Sequence, residues 1–342
     1  MNEIYINGRF QRQRCTGVQR VAKEISCLLQ APAKQIIPHY LYQGMAGHLW
    51  EQTVLPLHVR DGALWSPCNT GPMAVRRQIV TIHDMAVFEH PQWFSGNFSR
   101  LYHFLLPRLA RRVAKIVTDS NFSRNRISHF LAVEPAKIEV VYPGVSKRFS
   151  PRSPSEIEMA KKSYGLGGQK YFITLGTQEP RKNLKHVFKV WREITEQLGS
   201  GAKLLIVGGV TKAVFQSADA VVLPPNVIVA GYVADSTLLA LLSGAEALLY
   251  PSLYEGFGLP VIEGMACGTP VITTRCASLP EAGGDAALYV DANSPEEMKK
   301  IMLQLLVEPA MREDIAYRGR EQAAAFTWER SAANMDALLQ MI

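Results

Sequence analysis

The sequence predicts an α/β protein of two doubly wound, Rossmann-like domains. Three observations carry that prediction. Short β-branched, apolar runs alternate with amphipathic helical stretches through both halves of the 342 residues, the pattern of parallel βαβ units. The length suffices for two ordinary domains, and with 47% hydrophobic and 20% charged residues each can bury a core. A stretch rich in Ser, Pro and Arg, residues 146–155, separates the two halves and reads as a linker.

In the first half, Glu3–Ile6 reads as a strand and Phe10–Cys15 as a polar loop. Thr16-Gly17-Val18-Gln19-Arg20 then opens a helix running to about Leu29, with Thr16 as N-cap and Val21, Ala22, Ile25 and Leu28 on one face. This is the opening unit of a doubly wound domain, without the dinucleotide G-x-G-x-x-G. Further strands are expected near Ile36–Pro38, Ala63–Trp65, Ile79–Ile82, Ile116–Thr118 and Ile138–Val141. The Ile79–Ile82 run ends in His83-Asp84, which places both side chains at the carboxyl edge of the sheet, where open α/β sheets bind ligands. His83 is there either to face a ligand or to cap the strand. Asp84 either orients the His83 ring or caps the next loop. Asn97–Lys115 reads as a helical region that Pro107 should kink or split. Leu101, Leu105, Leu106, Leu109 and Val113 give it an apolar stripe beside Arg108, Arg111, Arg112 and Lys115, with Trp93 and Phe94 preceding it. Ser120 or Asn121 should cap the following helix. The first domain is taken as residues 1–145.

The second domain, residues 156–327, alternates more clearly. Strands are expected near Tyr171–Leu175, Lys203–Val207, Val227–Val229, Ala247–Leu249, Val271–Thr273 and Leu288–Val290. Helices are expected near Leu184–Gln197, Ser236–Ser243, Leu259–Ala266, Pro295–Leu306 and Met311–Ala325, and residues 328–342 form one more. The chemistry concentrates in Pro251–Ala266. A loop leads into a helix start, where free N–H groups attract an anion. Gly256 and Gly258 permit close backbone approach. Glu255 and Glu263 flank the helix start eight positions apart. Arg181 and Lys182, at the turn after the first strand of this domain, are placed to neutralise a diphosphate, Arg by its fork of donors and Lys as a point charge.

The run from Glu255 to Glu263, in a context extending from Tyr171 to Asp291, resembles the Glu–seven residues–Glu signature of the retaining glycosyltransferases of family 4, of the two-domain GT-B type. The resemblance implies two Rossmann-like domains facing a central cleft, with residues 328–342 returning to the first. It implies that Glu263 holds the ribose hydroxyls of a nucleotide-sugar, that Glu255 lies by the transferred sugar, and that the backbone of Gly256, Phe257, Gly258 and Leu259 contacts sugar and diphosphate. Glu179-Pro180-Arg181-Lys182-Asn183 resembles a bacterial polysaccharide branch in which the Arg/Lys pair binds the donor phosphates. His83 is expected to face the transferred sugar and acceptor. The Thr16-Gly17 turn, with Gly17 and Val18, is expected to approach the diphosphate, although many members carry two glycines there. The base should lie near Gly231, Tyr232 and Val233. Likeness to mannosyltransferases of O-antigen and exopolysaccharide pathways makes GDP-mannose the expected donor and a polyprenyl-diphosphate-linked saccharide the acceptor. The alternatives are a UDP- or dTDP-sugar donor, a small-molecule acceptor, or a sugar-nucleotide or glycan binding protein without turnover.

Several classes are set aside by the sequence. It has no D-x-D motif, no G-x-x-x-x-G-K-[ST] and no metal-ligand spacing among Cys and His, so no metal and no cofactor are expected. Its five cysteines form no C-x-x-C pair, which suits a reduced compartment. The segment MNEIYINGRF lacks the features of a signal peptide, and no apolar run approaches the ~20 residues that span a bilayer. A cytoplasmic protein is expected, peripheral on the inner membrane face if its basic half binds lipid. Residues 1–150 hold 19 Lys+Arg against 9 Asp+Glu, and residues 151–342 hold 18 against 21. That surplus suits an anionic membrane surface, nucleic acid or simple solvation. Nucleic acid rests on charge alone and is not an expected partner.

Overall fold

The computed structural model describes residues 3–39, 44–59, 62–176, 179–198, 201–209 and 223–342. They form two compact units, Met1–Gly144 with Phe326–Ile342, and Val145–Ala325.

In the first unit the chain runs β1 (Ile4–Asn7), α1 (Gly17–Leu28), β2 (Ala33–Ile36), α2 (Gly44–Thr53), α3 (Leu55–Val59), β3 (Ala63–Ser66), β4 (Gln78–Thr81), α4 (Ala86–Glu89), α5 (Gly96–Arg112), β5 (Lys115–Thr118), α6 (Asn121–Leu131) and β6 (Ile138–Val140). The six strands form one parallel sheet in the order β2-β1-β3-β4-β5-β6. Central strands are covered on both faces, so they read as apolar runs rather than alternations. Val80, Ile82 and Ile116 meet Leu106, Leu109 and Ile127 in one core. Every carboxyl end therefore opens on the same edge, which is where Asn7, Ser66, His83 and Asp119 sit.

Three expectations need correction here. The second strand is Ala33–Ile36 and ends where it was expected to begin. The loop from Phe10 starts as a 3-10 turn, Gly8–Arg12, with Phe10 buried. Pro107 does not split α5. The ring removes the N–H that would bond the His103 carbonyl, but the apolar face of the helix is fixed in the core and carries it through. Helices α2 and α3 had no clear signature: α2 carries two glycines and buries a carboxylate, Glu51, rather than a continuous apolar stripe.

The second unit begins with α7 (Pro154–Ser163), followed by β7 (Lys170–Leu175), α8 (Leu184–Leu198), β8 (Ala202–Val207), β9 (Val227–Gly231), α9 (Asp235–Ser243), β10 (Ala247–Tyr250), α10 (Leu259–Ala266), β11 (Val271–Thr274), α11 (Leu279–Gly283), β12 (Leu288–Val290), α12 (Pro295–Val307) and α13 (Pro309–Ala324). Its sheet is also parallel, in the order β12-β11-β10-β7-β8-β9. Phe172, Trp191, Leu204, Leu249 and Met302 centre its core. The stretch read as a linker is therefore partly helical. Ser153-Pro154-Ser155-Glu156 is a capping box with proline in the first turn, and the Ser153 N–H donates to Glu156 Oε2 at 2.9 Å.

The last helix, α14 (Trp328–Gln340), belongs to the first unit. Its Asp336 accepts from the Gln30 and Ala31 N–H groups at 2.7 and 3.2 Å, just beyond the end of α1. The N-terminal turn of α14 packs so tightly on Gly144 that a Cβ there would lie 2.2 Å from the Trp328 nitrogen.

Candidate active site

Lys182 and Arg181 stand on a short turn, Pro180–Lys182, which Asn183 closes in the left-handed region. That turn follows β7, the strand hydrogen-bonded to β10, so it lies beside the loop leaving β10. Thr177 and Gln178, part of the same motif, lie outside the described residues. The loop after β10 is tied down from below. Thr273 Oγ1 donates to the Tyr250 carbonyl at 2.8 Å, Thr274 Oγ1 to Ser252 at 2.6 Å, and Ser278 Oγ to Glu255 at 2.8 Å. The Leu253 N–H donates to the Arg181 carbonyl at 2.7 Å, stitching the two loops together.

Glu255 is the centre of the resulting cluster. Its Oε1 accepts from Lys182 Nζ at 2.7 Å and from the Tyr250 hydroxyl at 2.9 Å, with Ser252 Oγ at 2.6 Å; its Oε2 accepts from Arg181 Nη1 at 2.9 Å. Burial raises the Glu255 carboxyl, but Lys182 and Arg181 more than offset it and hold the pKa at about 2. Lys182 is held below its ordinary value by burial and by Arg181, against the pull of Glu255. Two cations thus share one buried carboxylate, while the side chain of Arg181 remains 24% exposed. Arg181 also pairs with the more exposed Glu179. The carboxylate is saturated by its own chain, so what it presents outward is the positive charge it holds in place.

Gly258 is the N-cap of α10 at φ +111°, where a side chain would be strained and a Cβ would lie 3.0 Å from Leu279. Phe257 is buried, and Leu259 begins the helix. Gly256 precedes them in the same turn, and Glu263 is buried on the second turn of α10. At the end of β9, Gly231 adopts φ +66°, Tyr232 is 80% exposed and Val233 is buried. Sequence reading brought together Glu255, Arg181 and Lys182. It missed Tyr250 and Ser252, although both immediately precede Glu255 at the strand end.

In the first unit His83 is 4% exposed, with both ring nitrogens engaged: Nδ1 lies 2.7 Å from Asp119 Oδ2 and Nε2 2.9 Å from the Pro67 carbonyl. Since the carbonyl can only accept, Nε2 is a donor, and the carboxylate makes Nδ1 one too. Burial lowers the pKa, and Asp119 and the carbonyl bond raise it further than burial lowers it. Asp84 is not the orienting group. Its Oδ1 accepts from the Ala86 N–H at 2.9 Å and starts α4. Asp119, which follows β5 on the neighbouring strand, was not singled out in the sequence, and the sheet order is what pairs it with His83. Ser120 caps α6. Gly17 begins α1, where Gln19 Oε1 accepts from the Thr16 N–H at 3.1 Å, and Val18 lines a cavity of this unit. Trp93 and Phe94 are half-buried, Trp93 stacked on His90 and Phe94 against the core. The exposed apolar side chains nearby are instead Phe98 and Phe104 on α5, and Met45, Leu49 and Leu57 on α2 and α3.

Two parallel αβ units, one with paired cations at the turn after a buried strand, define the two-domain GT-B class. Comparison narrows this further. The family model described as Glycosyl transferases group 1 matches residues 156–322, and that described as Glycosyltransferase Family 4 matches residues 53–149. Among curated relatives, the O-antigen chain mannosyltransferase B of Escherichia coli is 31% identical over 261 residues, 75% of this chain and 68% of that one. RfbU of Salmonella typhimurium, an O-antigen chain mannosyltransferase, is 32% identical over 64% of this chain and 57% of its own. The MMP alpha-(1->4)-mannosyltransferase of Mycolicibacterium hassiacum is 29% identical over 72% and 59%. The aligned part thus spans less than two thirds of the latter two. Two solved structures share the fold: Anabaena HepE, in complex with UDP and glucose, at TM-score 0.79 and 16% identity over the whole of both chains, and WaaG, a glycosyltransferase involved in lipopolysaccharide biosynthesis, at TM-score 0.75 and 17% identity over 98% of this chain and 99% of that one. The chain belongs to the group 1 glycosyltransferases of family 4.

Proposed function

We propose that the chain is a retaining, metal-independent glycosyltransferase that moves mannose from GDP-mannose to a polyprenyl-diphosphate-linked saccharide in bacterial surface polysaccharide synthesis. The observation that carries the chemistry is the pair Arg181 and Lys182, both held by buried Glu255, with the Arg181 side chain 24% exposed. The departing nucleoside diphosphate takes up negative charge as the glycosidic bond breaks. Preorganised cations at that point stabilise the transition state without rearranging when the charge appears. Glu255 acts here as a positioning residue for both cations. The backbone of Gly256, Phe257, Gly258 and Leu259 at the start of α10 supplies further donors. Glu263 takes the ribose hydroxyls, and Gly231, Tyr232 and Val233 lie by the base. Gly17 and Val18 approach the diphosphate from the first unit. His83, with both ring nitrogens taken by Asp119 and the Pro67 carbonyl, lies on the side of the transferred sugar without a ring N–H left to donate to it. The acceptor hydroxyl attacks on the face the leaving group vacates.

Mannose and an O-antigen saccharide are supported by the names of the curated relatives. No helix among the described residues is long and apolar enough to cross a membrane, which suits peripheral attachment through the basic first unit.

Turnover of GDP-mannose, UDP-sugars and dTDP-sugars with a lipid-linked oligosaccharide tests the reading, with and without chelator. Transfer from GDP-mannose giving an α-linked product by NMR, unaffected by chelator, is the expected result. Turnover of UDP- or dTDP-sugars alone would overturn the donor, a β-linked product the stereochemistry, and loss of activity with chelator the metal independence.

A further inference from the structure

Of the two cations in the second unit, a lysine is by nature the less directional. Its ammonium is a point charge on a flexible stem, whereas a guanidinium presents a fixed fork of donors. Around Lys182 that freedom is removed. Its Nζ donates to Glu255 Oε1 at 2.7 Å and also to the Tyr250 hydroxyl. The same hydroxyl donates its own proton to Glu255 Oε1 at 2.9 Å, so ammonium, phenol and carboxylate form a closed triangle of hydrogen bonds. Tyr250 is held firmly for this task. It is the last residue of β10, its side chain is buried, and its carbonyl accepts from Thr273 Oγ1 at 2.8 Å. Burial and the neighbouring Glu255 charge push the phenol well above its ordinary value, so it stays a donor to the carboxylate.

A lysine ammonium carries three N–H donors. Glu255 and Tyr250 take two, and among the described residues nothing takes the third. A single bond to Glu255 would let the ammonium turn about that axis. The second bond, to Tyr250, stops the rotation, and two fixed directions of a tetrahedral nitrogen fix the remaining one. The Tyr250 ring adds to the restraint, its centroid lying 4.8 Å from Nζ, within the ~6 Å reach of a cation–π contact. The Lys182 side chain is 14% exposed, so it is not sealed from a ligand. A charged hydrogen bond is strong only when donor and acceptor are aligned, which is what a fixed N–H secures.

We propose that Tyr250 is a positioning residue that aims the Lys182 ammonium, so that its remaining N–H meets a phosphate oxygen of the nucleotide diphosphate. The inference rests on the glycosyltransferase reading and deepens it: the second cation of the diphosphate grip is a directed donor, and the tyrosine at the end of β10 makes it one.

The test is a double-mutant cycle on the whole chain, read by calorimetric titration with GDP and UDP, and with guanosine and uridine as controls. Tyr250→Phe keeps the ring and removes the hydroxyl. It should weaken binding of the nucleoside diphosphate about 10-fold, as loss of a hydrogen bond to a charged group does, and leave nucleoside affinity unchanged. In a Lys182→Ala background the same change should cost about 2-fold or less, because the phenol then has no ammonium to aim. A tyrosine that merely supports the fold would weaken nucleoside binding as well, and its effect would multiply with that of Lys182→Ala. In the transfer assay Tyr250→Phe should lower kcat by a similar ~10-fold while the acceptor KM stays the same. Diphosphate affinity unchanged in Tyr250→Phe, or effects that multiply in the double variant, would overturn the proposal. A wild-type chain that binds a nucleoside diphosphate but transfers no sugar would overturn the functional reading, and the cycle still decides this one. A chain that binds neither diphosphate would overturn both.

Discussion

The charged clusters at the two sheet edges differ in their balance. In the second unit Arg181 and Lys182 share the single buried carboxylate of Glu255. In the first, Arg9 is matched by Glu51, and His83 by Asp119. Burying a charge is costly unless it is paired, so the balanced pairs are the arrangement burial favours by itself. The second unit buries one carboxylate for two cations, and the other carboxylate that Arg181 reaches, Glu179, is 47% exposed. A site built to meet a diphosphate needs cations that stand at the edge of solvent, as Arg181 does.

The largest effect should come from removing the two cations. Arg181→Ala with Lys182→Ala should lower kcat by ~10³-fold or more, since one charged transition-state contact is commonly worth ~10²-fold. Transfer rates with saturating donor and acceptor check this, and rates near wild type would erase the distinction between the two edges. Glu255→Gln keeps the shape but frees both cations, and should cost ~10²-fold in kcat. Its effect on stability should depend on pH. The Glu255 carboxyl titrates at about 2 in the folded chain against 4.5 as the reference. Its contribution, ~3 kcal/mol from that difference, is therefore present above pH 4.5 and lost as pH falls toward 2. Denaturant unfolding of the wild type should weaken across that window more than unfolding of the Gln variant. Parallel curves would show that the carboxylate is not held by the cations.

The balanced edge should respond in the opposite direction. Because the folded His83 pKa is raised above 6.5, its stabilisation is complete below that value and fades as pH rises through the folded pKa. Nitrogen chemical shifts of the His83 ring should show its titration displaced above the ordinary value, and a displacement below it would remove the Asp119 pair from the account. The smallest effect expected is on membranes. Cosedimentation with anionic vesicles should exceed that with neutral ones at 0.1 M salt and fall at 1 M, where the Debye length shrinks to ~3 Å. Replacing Phe104 should weaken it more than replacing Trp93, which is stacked on His90.

Legibility in the sequence followed how local each feature is. Most of the second unit's strands and helices were readable as continuous runs, whereas α7, which begins in the stretch read as a linker, and the short α11 were not. Glu255, Arg181 and Lys182 were readable because each sits in a compact motif. The Arg9–Glu51 and His83–Asp119 pairs join residues 42 and 36 positions apart, and only the strand order brings them together. Glu51 was further hidden on α2, a helix with two glycines and no clean apolar stripe. Pro107 misled because the penalty for an interior proline is real, yet packing of Leu105, Leu106 and Leu109 holds the helix through it.

The diphosphate grip of Arg181 and Lys182 is the central claim, and calorimetric titration with GDP and with guanosine tests it most directly. The two ligands share a base and ribose and differ in the diphosphate. The wild-type chain should bind GDP at least ~100-fold more tightly, a difference that two charge-assisted contacts supply. The Arg181→Ala, Lys182→Ala chain should lose most of that preference while its guanosine affinity stays the same. A preference for GDP that survives in the double variant would contradict the account and place the diphosphate grip elsewhere.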